Sequence, residues 1–281
     1  MIRHRFEYRA PHAVEEAIEI LAKAGDDCAV LGGGTWLIPN MTFNICQPKI
    51  VLDPRHLGLS SITESDNEIV VGARVTYDAA RNSPLVSAAL PLLAKMSEQI
   101  TGGISIVGQG TIGGSACYAN PSSDAPACLV ALRARLRVRS AEGMREVDAA
   151  DFYRGPFATA RRSDELLVGI VFPKMNAAAA CGYQKLKFST GSWPIVTAAV
   201  VAEADGVGRQ FRVALGAASV NPILTEQRLP AFPRADEFEA LSRSCARIDA
   251  EWSDELAGPG YRRSVAPSVV LKALQQCGAM K

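Results

Sequence analysis

Apolar residues recur at helical spacing through Val14-Glu15-Glu16-Ala17-Ile18-Glu19-Ile20-Leu21-Ala22-Lys23-Ala24, and Gly25 supplies a stop, so the pattern predicts a helix there. The short apolar run from Cys28 to Leu31 predicts a strand that leads directly into Gly32-Gly33-Gly34-Thr35. Further short strands are predicted at residues 49–52, closed by Asp53-Pro54, and at residues 68–72. Residues 85–96 read as helical, 101–115 as a glycine-rich segment, and 125–131 as a helix leading into strands near 136–138 and 166–172. Pro173-Lys174-Met175-Asn176, followed by a run of alanines, marks the best boundary. Beyond it, residues 182–188, 195–201 and 211–217 read as three strands. The tail from Asp236 to Met280 reads as helices interrupted at Pro259-Gly260. The expectation is an α+β chain with one domain over residues 1–176 and a smaller sheet-plus-helices domain over 177–281.

Composition narrows the class. The chain has 281 residues, 48% hydrophobic and 21% charged, which leaves ample material for packed cores. Its 30 Lys+Arg against 29 Asp+Glu give a net charge of +1, so no general pull toward nucleic acid or an anionic membrane surface is expected. No apolar run approaches the roughly 18–20 residues that cross a bilayer. The opening residues lack the apolar stretch of a signal peptide. The seven cysteines are scattered and contain no Cys-x-x-Cys, which argues against a disulfide framework, a zinc knuckle or an iron–sulfur cluster held by this chain alone. A reducing cytoplasmic setting suits them. With only His4, His12 and His56 available, a histidine-based dyad or metal site is hard to assemble, and any chemistry is expected to belong to a bound cofactor. No catalytic acid or base and no metal ligand is assigned.

Two glycine segments carry the candidate chemistry. In Leu31-Gly32-Gly33-Gly34-Thr35-Trp36-Leu37, successive backbone N–H groups can converge on an anion such as a pyrophosphate, with the Thr35 hydroxyl as a further donor. A tight turn is the other reading, although it needs fewer glycines. The second segment, Gly108-Gln109-Gly110-Thr111-Ile112-Gly113-Gly114-Ser115, contains G-x-G-x-x-G, but its context is wrong for a dinucleotide-binding βαβ unit. Glycine and polar residues precede it, no helical pattern follows Ser115, and position 133 is Arg where an acid is required. A P-loop is absent. The continuation Tyr118-Ala119-Asn120-Pro121-Ser122-Ser123-Asp124 suits hydroxyls of a ribose or ribityl chain, or else caps the helix that follows.

Taken in order, these segments resemble the FAD-binding (medium) subunit of the molybdenum hydroxylases, the family of aerobic carbon monoxide dehydrogenase and xanthine dehydrogenase. The likeness runs through Gly-Gly-Gly-Thr, Gly-Thr-Ile-Gly-Gly-Ser with its Asn-Pro-x-Ser-Asp continuation, Asp164-Glu165-Leu166-Leu167, Gly182-Tyr183-Gln184-Lys185 and Tyr261-Arg262-Arg263, covering essentially the whole chain. It implies a PCMH-type, vanillyl-alcohol-oxidase-like two-lobed FAD-binding domain followed by a CO-dehydrogenase-flavoprotein-type C-terminal domain with a three-stranded sheet and helices. It also implies that Leu31 to Leu37 wrap the FAD pyrophosphate, and that Gly102, Gly110, Thr111, Gly114, Ser115 and Tyr118 line the second side. Ser123 and Asp124 would meet the hydroxyls, Leu166 and Leu167 the flavin ring system, and Lys185 would lie near the isoalloxazine. Molybdopterin and two [2Fe-2S] clusters are expected on partner subunits: a large and a small one, forming a heterotrimer or a dimer of heterotrimers.

The chain departs from the family pattern at several points. Val107-Gly108 replace the usual Arg-Asn, Trp36 stands where a small or acidic residue is common, and Phe188-Ser189 and Ser192 replace charged residues after Tyr-x-Lys. No extra cysteine-rich loop is present for a further cluster. The leading expectation is an electron-transfer flavoprotein subunit. The alternatives are a stand-alone flavin reductase of the UDP-N-acetylenolpyruvoylglucosamine reductase type and a non-redox binding protein on the same fold.

Overall fold

The computed structural model describes residues 1–258 and 260–278. Three packed units follow one another along the chain. The first is a parallel three-stranded sheet in which Ile50–Leu52 lies between Glu7–Arg9 and Cys28–Val30, covered by the helix Val14–Ala24. The helix buries Ala17, Ile18 and Leu21 along one face and places Glu15 and Glu16 in its first turn, where the helix dipole favours negative charge. Ala17, Leu21 and Leu52 form a small core that reaches across to Leu166 of the next unit.

Asp53, immediately after the middle strand, ties this unit together. Its carboxylate accepts hydrogen bonds from Tyr8 Oη at 2.9 Å, Arg55 Nε at 2.7 Å, the Arg55 backbone N–H at 2.9 Å and Arg74 Nη1 at 3.2 Å. Burial pushes its pKa upward, but these donors outweigh burial and hold the carboxyl below its ordinary value. Arg74 Nη1 also donates to the carbonyls of Leu31 at 3.3 Å and Gly32 at 3.1 Å. The start of the first glycine segment is thereby fixed to the middle unit.

The middle unit is an antiparallel sheet in the order Ile62–Glu64, Glu68–Gly72, Leu166–Pro173, Arg135–Ser140, Gly143–Asp148. Its central strand is a nearly unbroken apolar run because it is covered on both faces, Leu166 packing into the first unit and Ile170 and Phe172 into the main core. The segment 101–115, expected as a glycine loop, instead forms two short helices, Gly103–Gln109 and Ile112–Tyr118. Thr111 starts the second helix, its Oγ1 accepting from the Gly114 N–H at 3.0 Å, a capping signal that the surrounding glycines obscure. That helix also runs past Ser115, where no helical pattern was expected. A helix rather than a strand precedes the G-x-G-x-x-G, so the context is not that of a dinucleotide-binding βαβ unit. The helical stretch 85–96 divides into Pro84–Ala89 and Pro91–Glu98, since Pro91 keeps Leu90 out of helical conformation.

The C-terminal sheet has four antiparallel strands, Ala180–Lys187, Pro194–Ala204, Arg209–Gly216 and Ile223–Leu229, rather than the three expected. The extra strand lies at the edge and is mostly exposed, so Ile-Leu-Thr-Glu-Gln-Arg-Leu carries little apolar signal. Pro194–Ala204 is buried on both faces: Ala199 and Val201 join the main core, while Ala198 and Val200 pack in a second core with Phe238 and Leu241 of the helix Ala235–Cys245 and Val270 of the helix Tyr261–Gln275. The sheet is thus a wall shared by two cores. Residues 246–258 between those helices are not helical. The interruption expected at Pro259 and the tail end at Met280 lie outside the described residues. No helix among the described residues is long and apolar enough to cross a membrane, and all seven cysteines are free thiols.

Two outcomes follow from this packing. Phe172→Ala, which empties a fully buried position of the main core, is expected to lower unfolding free energy by about 3–5 kcal/mol in urea titrations with unchanged slope. Asp53 has a lowered folded-state pKa, so its contribution is complete above its unfolded value of about 3.9 and is lost as pH falls through the folded value. The stability deficit of Asp53→Asn is therefore expected to be largest near neutral pH and to shrink on acidification. A deficit independent of pH would contradict this account.

Candidate functional site

A cleft of about 530 Å³ opens between the first and middle units, with Gly191 and Trp193 from the C-terminal part of the chain on its wall, a size in the usual range for cofactor sites. Its walls are built from the end of the strand Cys28–Val30, the two helices flanking Gly110 and the start of the strand Leu166–Pro173. The first two meet backbone to backbone. A Cβ on Gly33 would lie 1.7 Å from the Gln109 carbonyl oxygen, so only glycine permits this approach. Gly34, at φ +73°, turns the chain in the left-handed region and leads into the helix Leu37–Thr42.

Of the residues singled out in the sequence, Gly32, Gly33, Gly34, Thr35, Trp36, Leu37, Gly102, Gly110, Thr111, Gly114, Ser115, Tyr118, Ser123, Asp124, Leu166 and Leu167 all line this cleft. Leu31 does not. It lines an adjoining recess and directly follows the strand Cys28–Val30, its N–H bonded to the Leu52 carbonyl at 2.7 Å. Lys185 is also absent from the wall. It is buried behind Asp124, with Nζ 2.9 Å from Asp124 Oδ1. Lys185 therefore presents no free charge to the cleft, because its partner neutralises it.

Asp124 opens the helix Ala125–Ala131 but its side chain does not cap it. Instead Oδ1 accepts from both Tyr183 Oη and Lys185 Nζ, from the first strand of the C-terminal sheet. Burial, together with the neighbouring Asp124 charge, pushes the Tyr183 phenol well above its ordinary pKa and keeps it a donor. Both Ser123 and Asp124 are buried yet line the cleft, an arrangement suited to accepting and donating hydrogen bonds to ligand hydroxyls. Ser115 Oγ is oriented by Tyr77 Oη at 2.6 Å. Tyr118 packs against Trp36 with ring centroids 4.9 Å apart, and burial raises its pKa to about 12.

Several wall residues carried no signal in the sequence. Arg74, Tyr77, Arg161 and Trp193 reach the cleft from a loop, a short helix and two connecting segments. Trp193 stands edge-on to Trp36 at 5.9 Å. Arg161 Nη1 donates to the carbonyls of Arg162 at 2.8 Å and Glu165 at 2.6 Å, and it makes no ion pair among the described residues. Of the departures, Trp36 is a wall residue, Val107 is buried in the main core and Gly108 lines the adjoining recess. Ser192 Oγ accepts from the backbone N–H groups of Phe188 and Ser189, both at 3.1 Å, so this stretch forms its own turn.

The donor set fits FAD. Two glycine segments present backbone at one place, Arg74, paired with Asp53, lines the wall with a buried Nε that has no protein partner, and Ser123 with Asp124 adds polar groups to a wall that also holds apolar Leu166 and Leu167. Comparisons with known proteins agree. A family profile described as "FAD binding domain in molybdopterin dehydrogenase" matches residues 4–175. The chain is 31% identical to the carbon monoxide dehydrogenase medium chain of Hydrogenophaga pseudoflava, covering 99% of each chain. It is 28% identical to the nicotine 6-hydroxylase medium subunit of Paenarthrobacter nicotinovorans, covering 97% of each. Among solved structures, a chain of the Hydrogenophaga pseudoflava carbon monoxide dehydrogenase that lacks the Mo-pyranopterin moiety superposes with a TM-score of 0.91 at 30% identity, over 99% of this chain and 98% of that one. The profile spans more than half of the chain and the relatives match it from end to end: the chain belongs to the FAD-binding subunits of the molybdenum hydroxylases.

Proposed function

We propose that this chain is the electron-transfer flavoprotein of a heterotrimeric molybdenum hydroxylase in the cytoplasm. Electrons released at a large molybdopterin subunit would travel through two [2Fe-2S] clusters on a small subunit to the FAD held here, and leave to an external acceptor. The observation that carries this reading is the cleft wall, in which both glycine segments and the Ser123-Asp124 pair converge on a single site. FAD supplies the ability to exchange electrons singly or in pairs, so the protein's task is to bind, orient and shield it.

Each part of that task has a residue behind it. The segment from Gly32 to Thr35, held by Arg74 on the carbonyls of Leu31 and Gly32, directs its backbone toward the pyrophosphate. Thr111, Gly114 and Ser115 face it from the other side. Asp124, fixed by Tyr183 and Lys185, receives sugar or ribityl hydroxyls. Leu166 and Leu167 supply the apolar surface against a ring, and Trp36, Tyr118 and Trp193 exclude water with aromatic bulk. Residues 1–176 would form the FAD-binding domain and 177–281 the C-terminal domain that closes it.

The purified chain is expected to show flavin absorption bands, with free FAD released on denaturation; a chain that stays colourless after incubation with excess FAD would overturn this function. Gly33→Ala forces the two glycine segments apart, so FAD affinity is expected to fall by tenfold or more by fluorescence titration. Unchanged affinity would place the pyrophosphate elsewhere.

A further inference from the structure

Behind the cleft, the C-terminal domain makes a second set of contacts with the cofactor loop, separate from Tyr183 and Lys185. Ser122 precedes the two wall residues Ser123 and Asp124 but does not itself line the cleft. Its hydroxyl donates to Asp254 Oδ2 at 2.7 Å and accepts from Trp252 Nε1 at 3.0 Å, while Trp252 Nε1 also reaches Asp254 Oδ2 at 3.1 Å. The triangle closes over 132 residues of sequence.

Asp254 is held from below. Its Oδ1 accepts from the N–H groups of Leu256 at 2.9 Å and Ala257 at 3.3 Å and from Arg262 Nη2. Arg262 is completely buried, and its Nη1 donates to the carbonyls of Ile195 at 2.6 Å and Ala217 at 2.7 Å. Asp254 is the hub of this assembly: removing it would leave the buried Arg262 guanidinium without its carboxylate and the Ser122 hydroxyl without its acceptor. A second contact reaches the same wall through rings: Trp252 lies edge-on to Phe157 at 6.2 Å, Phe157 packs on Tyr118 at 5.1 Å, and the Phe157 N–H bonds the Ala119 carbonyl at 2.9 Å.

We infer that Trp252 and Asp254 are positioning residues for the cofactor, acting through Ser122 to hold the Ser123-Asp124 loop in its binding geometry. The inference rests on the reading of the cleft as the FAD site. The C-terminal domain is then part of the binding device rather than a spacer. By linkage, FAD binding must stabilise the 252–254 segment by the same factor by which that segment strengthens FAD binding.

Ser122→Ala in the full 281-residue chain is the direct test, since it breaks the link while leaving the Asp254–Arg262 pair intact. Loss of the two hydrogen bonds of the Ser122 hydroxyl is expected to weaken FAD by about fivefold to tenfold. The rise in melting temperature that saturating FAD confers should shrink in step. If the apo form of Ser122→Ala melts too low for titration, Trp252→Phe decides on the same criterion, because it removes the Nε1–H bonds to Ser122 and Asp254 while keeping an aromatic ring at the position that faces Phe157. A variant that melts lower but binds FAD with wild-type affinity would reduce Ser122 to a structural role and overturn the inference. Wild-type chain that fails to bind FAD at all would instead overturn the reading of the cleft.

Discussion

The cleft exists because two backbones touch. Where Gly33 meets the carbonyl of Gln109, the first and middle units come closer than any side chain would allow, and the helices on either side of Gly110 are placed by that contact. The two glycine segments on the wall take their positions from it. Thr35, Trp36 and Leu37 leave the contact in one direction, and Thr111, Gly114 and Ser115 leave it in the other. The small parallel sheet of the first unit has only a modest core of its own, so this meeting point and the Asp53–Arg74 cluster carry much of what fixes it to the rest.

Charge is used in the same economical way. Asp53 gathers four donors and, through Arg74, sets the carbonyls of Leu31 and Gly32. Asp124 gathers two donors from the C-terminal sheet and stands on the cleft wall. In both cases a buried carboxylate is acceptable because its partners compensate for desolvation; those of Asp124 come from the C-terminal sheet, while Asp53 draws on its own unit and, through Arg74, on the middle one. Arg74 on Asp53, and Tyr183 with Lys185 on Asp124, thereby link different units through polar contacts.

One consequence concerns Lys185. A lysine near a flavin suggests a cation that stabilises negative charge on the ring. Here its charge is matched by Asp124 within 2.9 Å and lies behind the wall. What it touches on the cleft side is the Asp124 carboxylate, which it helps to orient. Arg161, without an ion pair among the described residues, is the cation left facing the cleft.

Local chemistry determined a good deal of this protein. The helix Val14–Ala24, the strands ending at Val30 and Leu52, both glycine segments and the Asn-Pro-Ser-Ser-Asp turn are legible because their signals lie within a few residues of one another. The same signals, in order, carried the family resemblance. The sequence was silent or misleading where neighbours in space replace neighbours in chain. Glycines at 101–115 read as a loop, yet packing against Tyr77 and Ala73 and the Thr111 cap give helices. The edge strand Ile223–Leu229 shows little apolar signal because little of it is buried. Arg74, Trp193 and the Ser122–Asp254 link have no local signature at all. Only the tertiary structure decides them, since a hydrogen bond across 132 residues depends on how two cores share one sheet and leaves no periodicity behind.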